Sequence, residues 1–207
     1  MTLKTAHFSP VSISVSQVPP VEFSKLYNLV EAFHQHPDIY QTNMSGNLKG
    51  GTQLQIYPCA IDLDIPWLLT WITGMCQEYM DIITAQSEVN DLTYCHPVIT
   101  NISTIRQWSG GYQAMHTHVG NISGNIYISV PDINHTHDTD GQIEFRMPTT
   151  KDIGKFIMTD TWRTMPEPAA CVIFPSYIPH TVYPWTGAGH RTVVSFDAIL
   201  VANTTDF

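Results

Sequence analysis

Residues 11–18, VSISVSQV, alternate apolar and polar side chains, and that two-residue period predicts a half-buried β-strand. Pro19 and Pro20 close it and open a helix, because a first-turn proline lacks only an N–H that the helix would leave unpaired. Phe23, Leu26, Val30 and Phe33 follow at three- and four-residue steps, forming one apolar stripe. Residues 41–53, QTNMSGNLKGGTQ, are rich in turn formers and predict a loop. A second helix is expected from about Pro66 to Ala85, capped by Asp64. Its stripe of Trp67, Trp71, Met75, Tyr79 and Ile82 suits core packing better than a cofactor box. Both helices are expected to lie against a sheet.

Beyond residue 92 the period changes. VITNISTIRQW, NISGNIYISVP, GQIEFRMP, KFIMTDTW, ACVIFP, HTVYPW and RTVVSFDAILVA are short and rich in β-branched and aromatic residues, with Pro and Gly between them. Helices first and seven or eight strands after predict a mainly β (α+β) chain, a β-sandwich or jelly roll with helical buttressing. In NISGNIYISVP the polar Ser123, Asn125, Tyr127 and Ser129 alternate with Ile122, Ile126, Ile128 and Val130. If helices cover the apolar face, the polar face lines the barrel interior.

The 207 residues suit a single domain, with residues 1–92 supplying the strand and supporting helices and 93–207 the barrel core. Nine basic against eighteen acidic residues give a net charge of −9, which argues against binding nucleic-acid phosphates or anionic membranes. Cys59, Cys76, Cys95 and Cys171 are dispersed, with no C-x-x-C spacing, and read as buried reduced thiols. No apolar run reaches the length of a signal peptide or membrane span, so a cytoplasmic location is the simpler expectation.

His-Thr-His occurs twice, at 116–118 and at 135–137. The first pair follows the turn signal WSGGYQ, which would put both imidazoles on one face at the start of a strand. His180, at the end of CVIFPSYIPH, can return to the same end of a jelly roll and complete a facial set of three nitrogens. Such a set suits iron, zinc, copper or nickel. Arg191 comes eleven residues later, shares its strand face with Val193 and Ser195, and can grip a carboxylate bidentately. Metal at one end and guanidinium at the other define a slot for a short dicarboxylate such as 2-oxoglutarate. His135 and His137, in PDINHTHDTDG, read instead as a solvated loop. His36-Pro37-Asp38, the one literal His-x-Asp, carries a proline that does not fit a barrel strand. His34 would sit near the negative end of the first helix, and His96 and His190 need only surface or turn roles.

The stretches GGYQAMHTHVGNISGNIYISVP and CVIFPSYIPHTVYPWTGAGHRTVVSFD resemble the 2-oxoglutarate/iron(II)-dependent oxygenase superfamily over roughly residues 100–198. More narrowly they resemble a bacterial and phage group with His-x-His where the superfamily usually has His-x-Asp. The resemblance implies a double-stranded β-helix in which His116, His118 and His180 hold Fe(II). It further implies that Arg191 anchors 2-oxoglutarate, with Tyr127 and Asn125 as hydrogen-bond donors. The superfamily's arginine is commonly followed two residues on by Ser or Thr. Val193 stands there in this chain, leaving Ser195 as a stand-in. Implied partners are dioxygen and a small-molecule or peptidyl substrate. Specificity is expected from residues 42–53, the His135 loop and Trp162–Pro168. Two alternatives are a cupin-type three-histidine metalloprotein that does not use 2-oxoglutarate and a non-catalytic barrel-fold binding protein. The first would need a glutamate shortly after His118, where the chain reads VGNISG.

Overall fold

The alternating segment at the N-terminus does form a strand. In the computed structural model, which describes residues 4–8, 11–40, 46–58, 65–86, 95–147 and 161–203, β1 (Lys4–Phe8) pairs antiparallel with β2 (Val11–Gln17). Helix α1 (Pro20–Gln35) begins on its proline and ends at His36, whose successor Pro37 disfavours helical geometry and starts the short α2 (Pro37–Tyr40). Leu26, Val30 and Phe33 are buried as expected, with Phe23 packed at their margin. In α3 (Pro66–Gln86) the buried row is Leu68, Ile72, Met75, Cys76, Tyr79 and Met80, which keeps Met75 and Tyr79 of the predicted stripe and replaces its tryptophans with the residues one step on. Trp67 and Trp71, too large to be enclosed easily, flank that row, and Ile82 is half-buried. The expected cap Asp64 lies outside the described residues.

One expectation fails at residues 41–53. Leu48–Tyr57 is strand β3, laid along β4 (Cys95–His116), and only residues 46–47 of the described part remain a turn. Its Gly50 and Gly51, read as turn formers, are there because two backbones come too close for side chains. A Cβ on Gly50 would lie 2.9 Å from the Gly111 Cα, and one on Gly51 would lie 2.5 Å from the Arg106 carbonyl. Gly111 of the WSGGYQ signal has the same explanation, since a Cβ there would lie 2.7 Å from the Trp108 carbonyl oxygen. The signal does not end a strand, because β4 runs through it, with Gly110 at φ +81°.

The remaining strands are β5 (Ile122–Ser129), β6 (Asp132–Ile133), β7 (Ile143–Arg146), β8 (Thr161–Thr164), β9 (Ala170–Pro175), β10 (His180–Val182), β11 (Gly187–Ala188) and β12 (His190–Ala202). Ten strands form one antiparallel sheet in the order β1-β2-β9-β5-β12-β4-β10-β7-β8, with β3 added to β4, while β6 and β11 make a separate ribbon. Strands distant in sequence are neighbours in space, the wrapped connectivity expected of a jelly roll. β4 carries the wrap: its first part pairs with β12 and its last residues with β10.

Strands β5, β9 and β12 are buried on both faces, and their two-residue period sorts side chains into two cores. Ile122, Ile126, Ile128, Cys171, Ile173, Val194, Phe196 and Ala198 pack against α1 and α3. Tyr127, Val172, Phe174 and Val193 face the other way, with Ile143, Phe145, Ile178 and Val182. The predicted two-faced character of β5 is therefore correct. Arg106 fastens α1 to the sheet through an ion pair with Glu31 and a 3.0 Å bond from its Nε to the Thr192 hydroxyl. His34 joins Thr104 at 3.1 Å. It is not the charged helix-end group expected, since burial, and then Arg106 and His190, lower its pKa to about 4. Among the described residues no helix is long and apolar enough to cross a membrane.

Gly124 faces Phe196 across the β5–β12 ladder, and a Cβ there would come within 2.2 Å of the phenyl ring. Gly124→Ala should destabilise the fold by about 1–3 kcal/mol, and Phe196→Leu should relieve part of that loss. Urea denaturation checks this; an unchanged midpoint for Gly124→Ala would contradict the packing.

Candidate metal centre

Two strand ends and one turn bring the three predicted histidines together. His116 is the last residue of β4 and sits opposite His180, the first of β10. His118 lies just past β4, in a turn whose position is set by its own N–H donating to the Ser176 carbonyl at 2.9 Å. The pair thus ends a strand instead of starting one, because β4 passes straight through the glycines. One ring nitrogen from each histidine lies within 4.8 Å of the other two. Ring centroids are separated by 4.3 Å (His116–His180), 5.1 Å (His118–His180) and 5.2 Å (His116–His118).

Every ring is oriented through Nδ1. His116 Nδ1 is 2.7 Å from the Ala114 carbonyl, His180 Nδ1 is 3.1 Å from that of Ile178, and His118 Nδ1 is 2.7 Å from Asp197 Oδ1. Each contact is with an acceptor, so Nδ1 carries a proton and Nε2 is the nitrogen left to face a metal. His116 Nε2 is buried without a hydrogen-bond partner, an orphan that a metal ion would satisfy. Burial lowers the His180 pKa to about 3, helped by neighbouring His116. Burial also lowers that of His116, against the raising effect of the Ala114 carbonyl. Neutral imidazoles with converging lone pairs are the donor set a divalent transition metal requires. Phe174 and Phe145 pack on His180 with centroids 4.8 and 5.5 Å away and keep water from its apolar side.

Asp197 was not singled out from the sequence. It accepts from His118, from the Ser123 hydroxyl (2.7 Å) and from the Asn101 amide (2.9 Å). Burial works to raise its pKa, but these donors outweigh burial and hold the carboxyl below its usual range. A signal was available: it is the one acid in RTVVSFDAILVA and shares the strand parity of Arg191, Val193 and Ser195.

Arg191 is 1% exposed on β12 and borders a partly open cavity of ≈ 290 Å³ with Gln107, Gln113, Ile105, Asn125, Tyr127, Val182 and Val193. It donates to the Gly141 carbonyl (3.1 Å) and to Gln107 Oε1 (2.7 Å), and among the described residues no carboxylate pairs with it. Burial pulls its pKa down to about 10, which leaves it cationic at neutral pH. Tyr127 is pushed up to about 12 by burial and remains a hydroxyl donor. Val182 stands two residues beyond His180 on β10, so the cavity adjoins the histidine cluster. Asn125 borders the cavity, as does Gln113, which sequence reasoning passed over; Ser195 is buried but does not border it.

The family described as "Putative 2OG-Fe(II) oxygenase" matches residues 103–197, which run from mid-β4 to Asp197 and contain all three histidines and Arg191. Over that stretch the chain is similar to the 2-oxoglutarate/iron(II) oxygenases. No curated protein matches it significantly. Its fold is similar to a Pseudomonas putida prolyl-4-hydroxylase (TM-score 0.56, 12% identity, 90% of this chain and 91% of that one). It is similar to a Trichoplax adhaerens prolyl hydroxylase solved with a hypoxia inducible factor peptide fragment (0.58, 13%, 90% and 83%). HygX from Streptomyces hygroscopicus, solved with nickel, 2-oxoglutarate and hygromycin B, is another (0.54, 10%, 96% and 85%). These neighbours have the double-stranded β-helix anticipated above. The family match and the three clustered histidines fit Fe(II) and 2-oxoglutarate as metal and co-substrate.

The other histidines stay apart from this centre. His135 and His137 are exposed, in a loop closed by Asp140, which accepts from the N–H groups of Thr136 and His137. His36 and Asp38 are exposed beside α1. His190 is held by the Ser129 and Thr192 hydroxyls.

An unfolded histidine protonates near 6.5, whereas folded His180 does so at about 3 and His34 at about 4. Between those values the unfolded chain binds more protons, so metal-free stability falls as pH drops below about 6.5. The slope is about 1.4 kcal/mol per pH unit for a fully buried ring such as His180. Asp197 and Glu144, whose folded pKa values are depressed, add their loss only below the usual carboxylate range. Denaturation midpoints should stay level from pH 7.5 to about 6.5 and decline from there to 4.5, and a flat profile would contradict the neutral, buried His180 and His34.

Proposed function

We propose that His116, His118 and His180 hold one Fe(II) and that Arg191 binds the distal carboxylate of 2-oxoglutarate. On this reading the chain oxidises a C–H bond of a small-molecule or peptidyl substrate with dioxygen, most often by hydroxylation. The observation that carries it is a buried cation that has no carboxylate partner among the described residues, bordering a cavity that adjoins three clustered imidazoles. Bound iron would activate dioxygen, coupled to oxidative decarboxylation of 2-oxoglutarate to succinate and carbon dioxide.

The chain's own groups supply position and environment. Gln107 and the Gly141 carbonyl hold the guanidinium from behind, which leaves other N–H groups for a carboxylate. Tyr127 and Asn125 offer donors along the cavity wall, while Ile105, Val182 and Val193 match the methylene chain of the co-substrate. Ser195, away from the cavity lining, has no part in this grip. Dispersed cysteines and an acidic composition favour a cytoplasmic enzyme whose substrate is not a nucleic acid.

Anaerobic Fe(II) with 2-oxoglutarate should give a visible metal-to-ligand charge-transfer band, followed by succinate release in air. Arg191→Ala should raise the 2-oxoglutarate concentration needed for the band by ~100-fold or more, the loss of two charge-assisted hydrogen bonds. No band, with 2-oxoglutarate binding unaffected by Arg191→Ala, would overturn the reading. A band without succinate would mark a barrel that binds but does not turn over.

A further inference from the structure

Three imidazoles bring no negative charge to a divalent ion, yet a carboxylate stands directly behind one of them. We infer that Asp197 is the positioning residue of the metal centre, which fixes the His118 ring with Nε2 toward the ion and supplies the anionic charge that the ligands lack. This rests on the three-histidine iron site proposed above and concerns how that site is held. Asp197 is 8% exposed, and its placement is built in several layers. The register between β12 and β4 shifts at Asp197/Ala198, an irregularity of the kind that re-aims a side chain. Asn101, its partner across that ladder, donates to Oδ2 and itself accepts from the Gln55 amide. Ser123 donates to Oδ1 and shares a 2.8 Å hydroxyl contact with Ser176. The Ser176 carbonyl in turn receives the His118 N–H. One network therefore holds both the backbone and the ring of His118.

The other two rings lean on neutral carbonyls, of Ala114 and Ile178. His118 alone leans on a charge, and it is the ring outside a strand, where backbone geometry restrains it least. A carboxylate on the far nitrogen raises the donor strength of a metal-binding imidazole, and loss of such a partner typically weakens metal binding by ~10–100-fold.

Two measurements on the full chain separate orientation from charge. In the metal-free protein, histidine ¹⁵N shifts should report His118 with its proton on Nδ1. Asp197→Asn should keep that tautomer through the amide oxygen, and Asp197→Leu should lose it. Anaerobic Fe(II) titration should then show ~10–100-fold weaker binding for Asp197→Asn and at least as large a loss for Asp197→Leu. Ser123→Ala, a milder change, should fall between wild type and Asp197→Asn. In a His118→Ala background, Asp197→Asn should cost less than about 2-fold, because the effect passes through the ring. Unchanged Fe(II) affinity in Asp197→Asn, or an equal loss with and without His118, would overturn the inference. Failure of the wild type to bind Fe(II) would instead overturn the three-histidine site itself.

Discussion

From Arg191 to Ala198 strand β12 is enclosed on both faces, and the rest of the molecule depends on that enclosure. Its outward residues Val194, Phe196 and Ala198 belong to the core beneath the helices. On its inward face Arg191 borders the cavity at one end and Asp197 supports His118 at the other. A one-residue slip would exchange the two sets, burying polar groups under the helices and leaving aliphatic ones beside the histidine cluster. Register is held by β4 on one side, across the whole length of β12, and by β5 on the other. Helical packing and site geometry are thus one problem solved by one strand.

The electrostatics of the site follow from that geometry. A chain of net charge −9 buries one guanidinium without a carboxylate partner among its described residues and, by burial, disfavours the charged forms of His116 and His180 nearby. Burying a lone cation is costly, and the polar groups around Arg191 only partly offset that. A bound dicarboxylate would complete the balance. By contrast Glu144, also buried, has Arg146, Arg163 and the Tyr183 hydroxyl around it and is spent on structure.

Much of this was legible in the sequence where a period or an ordered set of residues carried it. The alternation in residues 121–131 correctly placed isoleucines on one face and Asn125 and Tyr127 on the other. The order of His116, His118, His180 and Arg191, taken with β-rich surroundings, anticipated a single site and set the second His-Thr-His aside. Illegible features depended on contacts between distant segments. Gly50, Gly51, Gly110 and Gly111 look like turn formers, but three of them serve close backbone approach, so a strand was read as a loop and a continuous strand as two. Of the predicted specificity set, residues 48–53 belong to β3 and Trp162–Thr164 to β8, the His135 loop is exposed, and residues 42–45 lie outside the described residues. Asp197 gained meaning only once His118 was seen 2.7 Å away across 79 positions.

His-x-His stands where the oxygenases that this chain resembles usually have His-x-Asp, and the structure sharpens that departure. His118 is close enough to serve as third ligand and is held from behind by the carboxylate of Asp197. X-ray absorption at the iron edge of the anaerobic Fe(II) protein tests that most directly, since imidazole ligands leave a distinctive multiple-scattering signature. Three imidazoles per iron in the wild type and two in His118→Ala are the predicted result. Two imidazoles in both would contradict the account.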